Sequence, residues 1–247
     1  MALDTKLFIN RLIEKEYTHL CVVPCSFAKF VINEAINNPN IEYLPCASEA
    51  VACSVAAGLK MAGKKPIVIV QSSGVTNMGS CITSLLKPYG VTFPILSSWR
   101  TYKYPDSEIQ HQHLATELPQ LIEAYGYENV ILDNENIDNA IEQIELCDTT
   151  FTIAVIKKDS FTKVQLDEKH KLDLSNYTPR SEFLIALNNL FKNNDTFQFA
   201  YKSYNHKSLL LLSMVIKSGK YSGVQPFETF FPLNKPVFSP SVTHLSR

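Results

Sequence analysis

The run Pro66-Ile67-Val68-Ile69-Val70 leaves this chain the fewest structural options. After its proline it is continuous, apolar and β-branched, the pattern of a strand covered on both faces rather than one with a wet side. Such a strand belongs inside a parallel sheet, and parallel neighbours need crossover connections, usually helices. The flanking sequence supplies them. Thr5 to Tyr17 has helical spacing through Phe8, Ile9, Leu12 and Ile13, and residues 19–23 form a short apolar strand stopped by Pro24. Helical spacing resumes from Phe27 to Asn37, Ile41 to Leu44 reads as a strand, and a helix from Glu49 ends at Gly63. After the central run come a polar turn (71–77), a helix through Leu86 and a strand at 93–96. A helix at 118–125, a strand at 129–132, a helix at 137–145 and a last strand at 151–156 follow. The alternation predicts an α/β domain, a mostly parallel sheet flanked by helices, over residues 1–160. Its ligand site is expected where strands end, at 24–26, 71–77 and 97–100.

Residues 161–177 are charged, polar and without period, and read as a linker. Thr178-Pro179 then has the favoured order for a helix start, followed by an apolar stripe of Phe183, Leu184, Leu187 and Leu190. The pattern does not continue: after Asp195 the only acid is Glu228, and the end is rich in Pro, Phe and Ser. Residues 178–247 are therefore expected to be a short, incomplete C-terminal segment with an irregular tail.

A formal net charge of −1 gives no electrostatic reason to expect nucleic acid or an anionic membrane as a partner. The apolar runs are too short to span a bilayer, and acids interrupt the first residues, so a cytoplasmic location is expected. Six cysteines stand at 21, 25, 46, 53, 81 and 147. Cys21-x-x-x-Cys25 and His111-x-His113 lack companion ligands at metal-binding spacing, so no metal site is expected and the thiols read as buried.

The stretch from Pro45 to Gly58 places one carboxylate, Glu49, at the head of a helix built almost wholly of small apolar residues. Such a helix can lie very close to another backbone. Glu49 is expected to be poorly solvated there and poised for proton transfer. The plainer alternative is an exposed glutamate that complements the helix dipole.

Several collinear motifs then add to this reading. They are Val23-Pro24-Cys25-Ser26-Phe27, Ser48-Glu49-Ala50-Val51-Ala52, Ala62-Gly63-Lys64-Lys65-Pro66, Gln71-Ser72-Ser73-Gly74 with Asn77, and Thr83-Ser84-Leu85 with Pro88-Tyr89-Gly90. Ser98-Trp99-Arg100 and Glu108-x-Gln110-His111 complete the set. Together they resemble the thiamine-diphosphate-dependent decarboxylases of 3-phosphonopyruvate and sulfopyruvate, with the phosphonopyruvate branch nearest. The resemblance implies a pyrimidine-binding domain that decarboxylates a small 2-keto acid, 3-phosphonopyruvate to phosphonoacetaldehyde and CO2. It implies that Glu49 hydrogen-bonds the pyrimidine of thiamine diphosphate and favours its imino tautomer. Gln71, Ser73, Gly74 and Asn77 would shape the turn around the cofactor, and Ser26, Arg100 and His111 would lie toward the substrate. Arg100 is the best chemical candidate for a phosphonate contact, against the alternative of a surface arginine at a strand end.

Members of that family hold the diphosphate and Mg2+ through a second domain carrying Gly-Asp-Gly. None of the eight glycines of this chain is followed by Asp, so the metal ligands are not found in it. The resemblance therefore implies a homo-oligomer or a second subunit carrying the diphosphate-binding domain. A pyrimidine-domain (alpha) subunit of a sulfopyruvate-decarboxylase-like heteromer, or an inactive truncated remnant, stand as the alternatives.

Overall fold

The structure is a computed structural model. It describes residues 2–100 and 111–171, positions 173, 175–176, 178, 182–183 and 185–186, and the backbone of 197–200 and 213–216. The chain divides into two units, Met1–Lys171 and Leu172–Arg247.

In the first unit, helix α1 (Thr5–Glu14) is capped by Asp4, whose carboxylate accepts the Leu7 N–H. Strand β1 (His19–Val22), helix α2 (Lys29–Asn37) and strand β2 (Glu42–Pro45) follow. Helix α3 (Glu49–Met61) starts at Ser48, whose hydroxyl accepts from Val51 N–H, and gives way at Gly63, where φ is +77°. Strand β3 (Pro66–Gln71) passes directly into α4 (Ser72–Asn77) and α5 (Gly79–Cys81). A π-helical turn, Ile82–Leu86, then leads to α6 (Lys87–Tyr89). The widened turn lies just before Pro88, whose ring has no N–H and clashes with an α-helical carbonyl at Ser84. Strand β4 (Ile95–Ser98), α7 (Leu114–Ala124), β5 (Glu128–Ile131), α8 (Ile137–Thr149) and β6 (Thr152–Ile156) complete the order.

The sheet has six strands in the order β2-β1-β3-β4-β6-β5, every pairing parallel. Residues 66–70 are thus the interior strand their composition predicts. Ile67 and Ile69 join the core under α1, α2 and α8, while Val68 and Val70 join the core under α3, α4 and α7. The chain turns from β1 to β2 on one side and from β1 to β3 on the other, so the switch point of the sheet lies at the C-terminal ends of β1 and β3.

Two expectations are corrected. Strand β4 runs two residues later than 93–96, because the Pro94 carbonyl accepts from Val68 N–H and the ladder continues through Ser97 and Ser98. Residues 161–171 are not linker. Leu3 and Phe161 form a parallel bridge, Thr5 Oγ1 donates to the Thr162 carbonyl at 2.6 Å, and Asn33 and Asn37 donate to the carbonyls of Val164 and Gln165. Phe161 stacks obliquely on Phe8 with centroids 5.1 Å apart. The polar look of this stretch hides Phe161 and Val164, both buried.

In the second unit, residues 182–183 and 185–186 are helical, as the apolar stripe predicts. Phe197–Ala200 pairs antiparallel with Ser213–Ile216, two strands where an irregular tail was expected. Leu184, Leu187, Leu190 and most of the tail lie outside the described residues.

Candidate functional site

The loops that leave β1 and β4 meet over the end of β3, which lies between them. From the first loop, Ser26 Oγ accepts a hydrogen bond from Arg100 Nη1 at 2.8 Å, and the Arg100 guanidinium sits 4.8 Å from the centroid of Phe27. Arg100 is only 8% exposed, which sets aside the surface-arginine alternative. Cys25 Sγ lies 3.0 Å from Ser98 Oγ across the same gap. At the end of β3 itself, Gln71 Nε2 donates to Ser73 Oγ at 2.9 Å and stands 3.3 Å from Nδ1 of the buried His111. Ser26, Arg100, Gln71, Ser73 and His111 are therefore gathered at one end of the sheet. Glu108 and Gln110 of the same motif lie outside the described residues.

Trp99 points the other way along its loop and shows how this end is held. Pro119, inside α7, has no N–H to offer the carbonyl of Ala115 four residues back. The Trp99 indole donates to that oxygen at 3.2 Å. A helix defect thus becomes the anchor for the loop that carries Arg100.

One step along the chain from Gln71, α4 brings Gly74 and Asn77 against the start of α3. Asn77 Nδ2 donates to Glu49 Oε2 at 2.9 Å. Gly74 lies so near that a Cβ there would come 2.4 Å from Glu49 Cγ and 2.5 Å from Oε1. No rotamer relieves such an overlap while the carboxylate stays in place. Glycine at 74 is therefore required by Glu49. Among the described residues Oε1 accepts no hydrogen bond. Glu49 is half-buried rather than sealed by its apolar helix, so the expected desolvation is only partial in this chain.

This arrangement tests whether a pyrimidine fits. An oriented glutamate, with one oxygen tethered by Asn77 and the other presented over a glycine, matches a ring nitrogen that needs a carboxyl partner. The pyrimidine end fits these residues. Residues the sequence reading missed are Cys25, Phe27 and Trp99. They fell inside the quoted motifs, but their partners are 73, 73 and 16 positions away, for Ser98, Arg100 and Ala115. An open cleft of about 590 Å³ near the other end of the strands, beside Thr18, His19 and Glu42, contains none of the expected site residues.

The fold and this end of the sheet define a class first: a doubly wound parallel α/β domain with polar side chains gathered at the switch point. Residues 5–120 match the family model described as thiamine pyrophosphate enzyme, N-terminal TPP binding domain. Phosphonopyruvate decarboxylase of Streptomyces viridochromogenes is 36% identical over 94 residues, 38% of this chain and 24% of that protein. Sulfopyruvate decarboxylase subunit alpha of Methanocaldococcus jannaschii is 31% identical over 91 residues, 37% of this chain and 54% of the subunit. Sulfopyruvate decarboxylase of Methanosarcina acetivorans is 30% identical over 125 residues, 45% of this chain and 32% of that protein. The chain thus spans between about a quarter and about half the length of the curated relatives it matches. Among the described residues no helix is long and apolar enough to cross a membrane.

Proposed function

We propose that the first unit is the pyrimidine-binding half of a thiamine-diphosphate-dependent decarboxylase, acting on a small anionic 2-keto acid such as 3-phosphonopyruvate. The observation that carries this reading is the Glu49 carboxylate, tethered by Asn77 and fitted over Gly74. Glu49 would hold a proton at Oε1 toward the pyrimidine, and Asn77 would keep the carboxyl from rotating away. Gln71 and Ser73 would line the turn beside it. When bound, thiamine diphosphate supplies the electron sink for decarboxylation. Arg100, held by Ser26 and Phe27, would bring a guanidinium to the end of the site suited to a phosphonate or carboxylate. His111 would lie at the same anionic end. The product pair would be phosphonoacetaldehyde and CO2.

A second reading is favoured by one comparison. The match covers about half of a sulfopyruvate decarboxylase alpha subunit but only about a quarter of a phosphonopyruvate decarboxylase. On that reading the chain is the pyrimidine-domain subunit of a heteromer, and a partner supplies the diphosphate and Mg2+ anchor.

Isothermal titration with thiamine diphosphate and Mg2+ tests both. Binding by the protein alone, lost in Glu49→Ala, supports the first reading. Binding only after addition of a subunit bearing a Gly-Asp-Gly domain, again lost in Glu49→Ala, supports the second. Binding that is unchanged in Glu49→Ala defeats both.

A further inference from the structure

The face of α3 that carries Glu49 carries Cys53 one turn later, because residues four apart are stacked on one side of a helix. The α4–α5 segment has the same spacing: Cys81 stands four residues after Asn77. Glu49 and Asn77 are bonded at 2.9 Å, which fixes the register of the two helical segments. One turn on, the Cys53 and Cys81 side chains interact with each other. Ser54 Oγ lies 3.6 Å from Cys81 Sγ, an independent contact at the same level. Cys53 and Cys81 also share one apolar cluster with Met78 and Ile82.

The two thiols are electronically unlike. The Cys53 side chain favours charge on the Cys81 sulfur, and Ser54 adds to it, so Cys81 is held below the ordinary thiol range against the opposing effect of burial. Cys53 is pushed up by its interaction with Cys81 and by burial. Cys53 is fully buried, while Cys81 keeps 8% exposure. Cys21 and Cys147, by contrast, are each raised to about 12 by burial. Of the pair, Cys81 is thus the readier nucleophile and Cys53 the thiol that keeps its proton.

We propose that Cys53 and Cys81 are a redox-active dithiol that closes to a disulfide between α3 and α5 when a peroxide reaches it. The Cys81 thiolate attacks the O–O bond of hydrogen peroxide. A sulfur–oxygen bond forms, giving a sulfenic acid, and the departing hydroxide takes up a proton to become water. The Cys53 sulfur then attacks the Cys81 sulfur. The S–S bond forms, the S–O bond breaks, and the oxygen leaves as water with the Cys53 proton. In sum, two thiols lose two electrons and hydrogen peroxide is reduced to two waters. The bridge would tie together the two segments that carry Glu49 and Asn77.

The test treats the full chain with hydrogen peroxide at neutral pH, blocks remaining thiols with N-ethylmaleimide, and maps peptides by mass spectrometry. The expected product joins the Cys53 and Cys81 peptides with loss of two hydrogen atoms and is reversed by dithiothreitol. On unoxidised protein, Cys81 should react with maleimide at least about tenfold faster than Cys21 or Cys147. Cys53→Ala should leave a Cys81 sulfenic acid that dimedone captures, and Cys81→Ala should give no dimedone adduct on Cys53. A Cys81 found as sulfinic acid in the wild type, or joined to another cysteine, overturns the proposal. So does a pair that stays reduced while solvent-exposed thiols of a reference peptide are oxidised. The wild-type map decides the matter even if a variant fails to fold.

Discussion

Gly74 shares its space with Glu49, and a methyl group there must move the carboxylate or the helix. Gly74→Ala is therefore expected to weaken thiamine diphosphate binding at least about tenfold by displacing Glu49. Stability should change by less than about 1 kcal/mol, since alanine favours a helix over glycine and offsets part of the clash. Titration read beside a thermal melt separates the two effects. A different carboxylate makes the opposite case. Glu34 on α2 is 7% exposed, and burial raises its pKa, with Lys6 opposing. A carboxyl whose pKa is raised in the fold lowers stability fully above its folded pKa, where it must ionise in place, and this penalty fades as the pH falls from there toward the unfolded pKa. Glu34→Gln should accordingly raise Tm at pH 8, with the gain fading as the pH falls through the range where wild-type Glu34 takes up its proton. A melting series across pH checks the sign. At this scale helix composition singles out Glu49 and the motif resemblance alone singles out Gly74 and Asn77, and the structure sets the three side by side. The Arg100–Ser26 and Cys25–Ser98 pairs were not, because nothing local in either segment records a partner over seventy positions away.

At the scale of elements, the anchor between Trp99 and α7 rests on a missing donor. Trp99→Phe removes the only indole N–H of the chain and should cost about 1 kcal/mol in denaturant unfolding. In a Pro119→Ala background, where the helix can satisfy the Ala115 carbonyl itself, the same change should cost measurably less. A double-mutant cycle reads the coupling directly. Equal costs in both backgrounds would mean that the indole bond gains nothing from the donor that Pro119 lacks. The elements themselves were mostly visible in the sequence, because runs such as 66–70 and 152–156 have no alternative once buried on both faces. Their order was not. β6 lies between β4 and β5, a choice made by which helices cover which face rather than by any property of the strand. The late start of β4 was hidden because the two serines that finish it look like loop, although the sheet buries both.

The first unit runs on past its last strand to Lys171, with residues 161–167 lying against α1 and α2. Phe161→Ala should therefore behave as a core truncation and cost about 3–5 kcal/mol, measured by urea unfolding of the full chain. A surface linker would lose under about 0.5 kcal/mol, and that outcome would remove this stretch from the unit. The error of reading it as linker has a physical origin: a strap needs apolar contact at only a few positions, and its remaining residues can be as polar as any loop. The Thr5–Thr162 bonds span 157 positions. Within this unit α1 is synthesised before every other helix, yet the backbone partners of Leu3 and Thr5 are among the last residues made. Phe8 has no aromatic neighbour from the strap until they emerge. Contacts of such separation close late and slowly, so the helix made first is the one completed last.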